Sequence, residues 1–373
     1  MNGGFYGYWR KEYEVKRILC ILSSLEAGGA ETFLMKIYRA LPPEAYQLDF
    51  IVSVDGGCYT EEVLARGGKI YQIPLRTKNF FGAIRGILSV VKENHYDTVL
   101  KLGENSLAVA DLIAAKMGGA RNLVLRSCNA PTGLSRKARC VHKFFRPLLN
   151  WVTTVKLAPS QLAADFMFGR KAKVKLIHNG VDLNVFRFDQ EERKRIREEF
   201  ALAGKTVVGH IGRFAEQKNH RQLLEVFRQI HMQREESILL LVGTGKLEEQ
   251  IRQWICELDL QDHVILCGQR FDIPALLSAM DVFVFPSLHE GMPNTVIEAQ
   301  ATGLPCIIAD TITPEADITG LVHYLPLSDT PEKWADAALS ALTEERVCTK
   351  QDFIKHGYDI HTVAMELVEL ICK

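Results

Sequence analysis

Short apolar runs alternate with amphipathic stretches from one end of the chain to the other. The first series holds RILCILS at 17–23, LDFIVSV at 48–54, DTVLKL at 97–102, NLVLRS at 122–127 and VKLIHNG at 174–180. The second holds TVVGHIG at 206–212, SILLLVG at 237–243, HVILCG at 263–268, DVFVFPS at 281–287 and PCIIAD at 305–310. Runs this apolar predict parallel strands buried on both faces. The stretches between them, such as 218–231 and 246–257, carry helical periodicity. Strand and helix in alternation predict an α/β architecture with parallel sheets.

Ten strands exceed one comfortable core. The periodicity breaks at HNGVDLNVFRFDQEE, 178–192, where Asn-Gly and several Asp and Asn signal turns. A fresh series starts at Thr206. The chain therefore divides into a first doubly wound domain, 1–180, and a second, 181–350. The tail 351–373, QDFIKHGYDIHTVAMELVELICK, has the apolar period of a helix. The charge run QEERKRIREEF reads as a solvated helix face laced with pairs such as Glu191 with Arg195. Two such domains enclose a cleft. Open α/β sheets bind ligands beyond the carboxyl ends of their strands, so the loops after the strands are where chemistry belongs.

Composition adds little to that frame but excludes several classes. With 373 residues, 47% hydrophobic and 24% charged, the chain can fill two cores. It carries 45 basic and 45 acidic residues, so no overall field draws it to nucleic acid, and none is expected as a partner. Nine cysteines without a Cys-x-x-Cys pair read as buried reduced thiols in a cytoplasmic protein. No apolar run reaches about 18 residues, which predicts no membrane-spanning helix. The stretch MNGGFYGYWRKEYEVK lacks the apolar core of a signal peptide.

Five loops could hold chemistry. In SSLEAGGAETF, Gly28 and Gly29 allow a tight turn before a helix that begins near Ala30. Free N–H groups there suit an anion or a close sugar; a plain strand-to-helix turn is the competing reading. In GHIGRFAEQKNH, Arg213 and Lys218 follow a glycine turn at a strand end, a pairing that fits a diphosphate. Gly243 and Gly245 in LVGTGKLEEQI read as a structural turn. Arg270 and Phe271 in GQRFDIP could flank a nucleobase or simply pack. The most informative loop is FVFPSLHEGMPNTVIEAQATGLP, 283–305. Glu290 sits on the loop, Asn294 is the expected N-cap, and Thr295 opens a helix. Glu298 lies roughly 6 Å further along the axis, at about 1.5 Å per residue. Two acids thus bracket a helix N-terminus whose unpaired N–H groups favour phosphate.

These residues resemble a family. PSLHEGMPNTVIEAQATGLP is similar to the E-x7-E signature of the retaining glycosyltransferase family 4, and GHIGRFAEQKNH, LVGTGKLEEQI and VKLIHNGVDLNVF match the same family in the same order. GQRFDIPALLSAMDVFVFPSLHEGMP and GLPCIIADTITPEADIT resemble its capsular and exopolysaccharide branch. The resemblance covers about 17–345. It implies a GT-B fold: two Rossmann-like domains facing a cleft, with a C-terminal helix crossing back to the first. It implies a nucleotide-sugar donor, with UDP-sugars as the first guess, and a glycan or lipid-linked acceptor. No metal and no further cofactor are expected. Carried over residue by residue, Arg213 and Lys218 bind the donor diphosphate, Glu298 the ribose, and Glu290 orients the sugar. Asn294 and Thr295 meet phosphate, and Gly28 and Gly29 line the site from the first domain. Arg270 belongs with the donor-binding set.

The chain departs from the branch in its first domain. Leu100-Lys101-Leu102 stands where His-x-His is usual, and Arg126-Ser127-Cys128-Asn129 stands where His-Ser-His-Asn is frequent. Arg126 and Asn129 become the acceptor-side candidates, with Arg126 suited to an anionic acceptor. Three readings follow: sugar transfer with retention, a GT-B nucleotide-sugar 2-epimerase, and a non-catalytic nucleotide-sugar binder. The segment 135–151, SRKARCVHKFFRPLLNW, collects five cations with aromatic residues. It reads either as an interfacial helix at the inner face of the plasma membrane or as an ordinary packed helix that Pro147 keeps short.

Overall fold

The computed structural model describes residues 15–26, 28–128, 135–342 and 346–372. Seven strands, β1 (Lys16–Ile21), β2 (Tyr46–Val52), β3 (Ile70–Gln72), β4 (Thr98–Gly103), β5 (Asn122–Ser127), β6 (Val155–Ala158) and β7 (Lys175–Leu176), form one parallel sheet in the order β3-β2-β1-β4-β5-β6-β7. Six more, β8 (Thr206–Ile211), β9 (Ser237–Val242), β10 (Val264–Gly268), β11 (Val282–Phe285), β12 (Cys306–Ala309) and β13 (Val322–Leu325), form a second in the order β10-β9-β8-β11-β12-β13. The strand order reverses between β1 and β4 and between β8 and β11. Such reversals open the crevices where doubly wound sheets hold ligands.

Side chains alternate across each sheet, and both faces are covered. Ile18 and Cys20 of β1 pack against Phe33, Leu34 and Ile37 of the helix Gly29–Ala40, while Leu19 and Ile21 face Ile87, Val91 and Leu112. Phe283 and Phe285 of β11 join Val296 and Ala299 on one face, and Val282 and Val284 meet Leu223, Phe227 and Trp334 on the other. Burial on both faces is why these strands read as unbroken apolar runs.

The tail is two helices rather than one. Lys350–Lys355 stops near Gly357, at φ +72°, and Asp359 then caps Ile360–Ile371 by accepting from the Thr362 N–H. Ile360, Val363, Ala364, Leu367, Val368 and Ile371 complete the first domain's core. Where this tail returns, Val181 pairs with Asp359. Gly180, at φ +68°, lies so close that a Cβ would meet Ile360 Cδ1 at 2.6 Å.

Three expectations change. In the helix Gln190–Glu199, Arg195 pairs with Glu192 at 2.7 Å and Glu199 at 3.4 Å, not with Glu191. All nine cysteines are free, but Cys58, Cys140, Cys256 and Cys348 are exposed, because they fall on loops and outward helix faces. Pro147 does not shorten its helix, which runs from Arg136 to Val152. No helix among the described residues is long and apolar enough to cross a membrane.

Candidate active site

A cleft of about 540 Å³ lies between the domains. Gly28, Gly29 and Arg126 line it from the first, and Arg213, Glu290 and Asn294 from the second. Loops beyond β1, β5, β8 and β11 thus converge, as the strand-end rule requires. A Cβ at Gly29 would meet nothing within 4 Å, so the protein itself does not need glycine there. The open space faces the cleft.

The loop after β8 carries the cations. Gly243, at φ +140°, lies so close that a Cβ would sit 2.1 Å from the Gly212 carbonyl oxygen, and one on Gly245 would sit 2.4 Å from that of Phe214. The Phe214 N–H donates to the Thr244 carbonyl at 2.9 Å. The glycine pair after β9 is therefore a brace for the loop that presents Arg213. Arg213 is exposed and makes no hydrogen bond or ion pair among the described residues. Lys218 ends a short 3-10 turn; its Nζ lies 2.7 Å from Glu290 Oε1 and 4.4 Å from the Phe285 ring. The two residues expected to hold diphosphate and sugar hold each other.

Beneath this loop lie two histidines that the sequence reading passed over. His210 is fully buried, with Nδ1 2.9 Å from the Val284 carbonyl, and His220 packs 5.1 Å away, ring to ring. Burial, then the neighbouring positive charge, pushes His220 down to about 4 and His210 well below its ordinary value. The unfolded chain binds protons at these sites near pH 6.5, and the folded one does not. Their contribution is thus present above about pH 6.5 and lost as pH falls toward 4, at about 1.4 kcal/mol per pH unit per histidine. Urea unfolding at pH 7, 6 and 5 is expected to show that slope, and His220→Gln to reduce it. An unchanged slope in the variant would remove the assignment.

The helix Asn294–Ala301 starts after Pro293, with no side-chain cap. Asn294 is its first residue rather than its cap. The Asn294 Oδ1 accepts from Asn179 Nδ2 at 2.7 Å, and Asn179 Oδ1 accepts from Arg126 Nη2 at 2.6 Å. A chain of hydrogen bonds thus runs from β5 through the interdomain connection to the helix start. Thr295 and Glu298 lie on this helix but outside the cleft lining. Glu298 Oε1 is 2.7 Å from Lys36 Nζ on the helix Gly29–Ala40, an ion pair between the domains.

Arg270 is placed elsewhere. Its guanidinium binds Glu199 at 2.6 Å and Asp272 at 2.7 Å, and the neighbouring Phe271 is strongly exposed. Asn129 lies outside the described residues. Glu31, Glu104 and Asn179 line the cleft and were missed. Glu104 directly follows β4, where the strand-end rule could have found it. Burial, with Glu104 adding to it, raises the Glu31 carboxyl. Among the described residues no group of three His, Cys, Asp or Glu side chains could hold a metal.

Two facing doubly wound domains with a cleft between them are the GT-B architecture. Residues 27–185 match the family described as Glycosyltransferase Family 4, and 205–344 that described as Glycosyl transferases group 1. EpsF of Bacillus subtilis (strain 168), a glycosyltransferase by name, is 34% identical over 361 residues, covering 92% of this chain and 93% of that one. An Escherichia coli enzyme, named UDP-Gal:alpha-D-GlcNAc-diphosphoundecaprenol alpha-1,3-galactosyltransferase, is 25% identical over 300 residues, 76% of each chain. The crystal structure of Anabaena Alr3699/HepE in complex with UDP superposes with a TM-score of 0.77 at 20% identity, covering 95% of this chain and 98% of that one. The chain belongs to glycosyltransferase family 4.

Proposed function

We propose that this glycosyltransferase moves a sugar from a nucleotide-sugar, with UDP as the first candidate carrier, to a hydroxyl of a glycan or lipid-linked acceptor in polysaccharide or glycolipid biosynthesis, with retention at the anomeric carbon. The observation that carries the reading is the convergence of Arg213, Glu290 and an uncapped helix start on one interdomain cleft, with Lys218 just outside its lining and paired to Glu290. Arg213, Lys218 and the N–H groups at Asn294 and Thr295 offset the charge on the leaving diphosphate, so the reading needs no metal. Once the diphosphate engages Lys218, Glu290 is free to accept from donor-sugar hydroxyls. Glu298, released by Lys36, takes the ribose. The acceptor oxygen bonds to the anomeric carbon as the bond to the β-phosphate breaks, and the acceptor proton passes to the departing phosphate. A UDP carrier is supported by the UDP-Gal donor in the name of the E. coli relative and by the HepE complex with UDP.

A thermal-shift screen of UDP-, GDP- and ADP-sugars tests the donor. A ligand at about 100 times its dissociation constant adds about 2.7 kcal/mol of stability. Response to none of the three would overturn the donor reading. Conversion of UDP-N-acetylglucosamine to its manno epimer without acceptor would replace transfer with epimerisation.

The helix Arg136–Val152 extends the reading to a cytoplasmic membrane face. It packs through His142, Leu149 and Val152, yet Val141, Phe144, Leu148 and Trp151 form an exposed stripe at helical spacing. Phe144 is 78% and Trp151 75% exposed, and the Lys116 ammonium lies 4.9 Å over the Trp151 ring. The packed-helix and interfacial-helix readings thus describe different faces of one element. Aromatic residues beside Arg136, Lys137 and Lys143 suit an anionic bilayer interface, at about 1 kcal/mol per cation. Liposome sedimentation is expected to require anionic lipid, to fall with salt, and to be lost when Arg136, Lys137 and Lys143 become Glu. Equal sedimentation with neutral and anionic vesicles would sink this docking.

A further inference from the structure

Arg126, near the end of β5, is 2% exposed and lines the cleft. Its Nη2 donates to the Ile177 carbonyl at 3.1 Å and to Asn179 Oδ1 at 2.6 Å. Both acceptors are neutral. Its guanidinium lies 3.7 Å from the Phe33 ring centroid, and its Nε is buried with no partner. No carboxylate among the described residues pairs with it. Glu31 and Glu104 share the cleft, yet neither contributes to holding its charge. Burial lowers its pKa only to about 10, so it stays cationic at neutral pH.

A buried charge without a counter-ion is costly, and stability alone gives no reason to keep one. The donor diphosphate does not explain it. Arg213 and Lys218 already meet that group from the second domain, and Arg126 stands on the first domain's wall. The Arg126 Nε and Nη1 make no hydrogen bond among the described residues, and a guanidinium with donors to spare suits a carboxylate. Glu31 and Glu104, which make no ion pair among the described residues, suit hydroxyls beside it.

We propose that Arg126 is the subsite for a carboxylate borne by a sugar ring, so that one of the two sugars handled in this cleft is of the uronic-acid class. The inference rests on the sugar-transfer reading above. The carboxylate belongs either to the transferred sugar or to the acceptor, and binding separates the two. The donor arm compares UDP-glucuronate and UDP-galacturonate with UDP-glucose and UDP-galactose by calorimetry on the full chain. The acceptor arm compares methyl glucuronoside with methyl glucoside on the UDP-loaded protein.

In one arm the acidic ligand is expected to bind at least ten-fold more tightly than its neutral counterpart. Arg126→Gln should erase that preference while UDP still binds, and Arg126→Lys should keep part of it. The wild-type comparison needs no variant to fold. Normal UDP binding with no acid preference in either arm overturns this inference alone. Absence of UDP binding overturns the UDP-donor reading beneath it. A preference that survives Arg126→Gln assigns the carboxylate elsewhere and also overturns the proposal.

Discussion

Glu290→Gln is expected to lower turnover by about 10²–10³-fold while tightening the binding of free UDP. The two effects come from one contact. The Glu290 carboxylate lies 2.7 Å from Lys218 Nζ, and both side chains are largely buried. A diphosphate must draw Lys218 away from that carboxylate and accept its negative charge nearby. The amide removes the competition and the repulsion, so UDP gains. Transfer loses, because positive charge develops at the anomeric carbon as the glycosidic bond breaks, and the carboxylate meant to face it is gone. Titration with UDP and single-turnover measurement of sugar transfer separate the two. If UDP affinity falls together with the rate, Glu290 merely holds Lys218 in place.

Arg213→Ala is expected to weaken UDP and the intact donor by roughly 10–150-fold, with thermal stability unchanged. A hydrogen bond to a charged group is worth about 1.5–3 kcal/mol, and about 1.4 kcal/mol is a factor of ten. The stability half follows from the geometry, since Arg213 is exposed and has no protein partner among the described residues. Lys218→Ala is the less clean experiment because it strands Glu290. The loss on Arg213→Ala should also shrink as salt rises, since an exposed cation is screened. Unchanged UDP affinity would take Arg213 out of the diphosphate site.

Much of this was legible in the chain itself. Strands buried on both faces announce themselves as apolar runs, and ten of the thirteen were visible that way. The other three, β3, β6 and β13, are three or four residues long and mix polar with apolar positions. Six candidates after strand ends or near them, Gly28, Gly29, Arg126, Arg213, Glu290 and Asn294, line the cleft because the topology dictates where loops converge, whereas Lys218, Arg270, Thr295 and Glu298 do not line it. What pattern could not supply was the choice of partner. Arg270 and Arg213 look alike as letters after a strand, yet one is held by Glu199 and Asp272 and the other faces open space. Lys36 with Glu298, and Asn179 with Asn294, are contacts across more than a hundred residues of sequence. No local period encodes them. The buried state of Arg126 belongs to the same class: the sequence marks an arginine, and only packing shows that nothing neutralises it.

The helix Ile360–Ile371 has a consequence for how the chain comes into being. Six of its residues belong to the core that Phe33, Leu34 and Ile37 begin. A ribosome finishes the first sheet about 190 residues before that helix emerges, which at about 5–20 residues per second is an interval of roughly 10–40 s. Through that interval the first domain's core lacks the six residues that Ile360–Ile371 adds to it. The nascent first domain therefore keeps an incomplete core until Ile360–Ile371 docks on it.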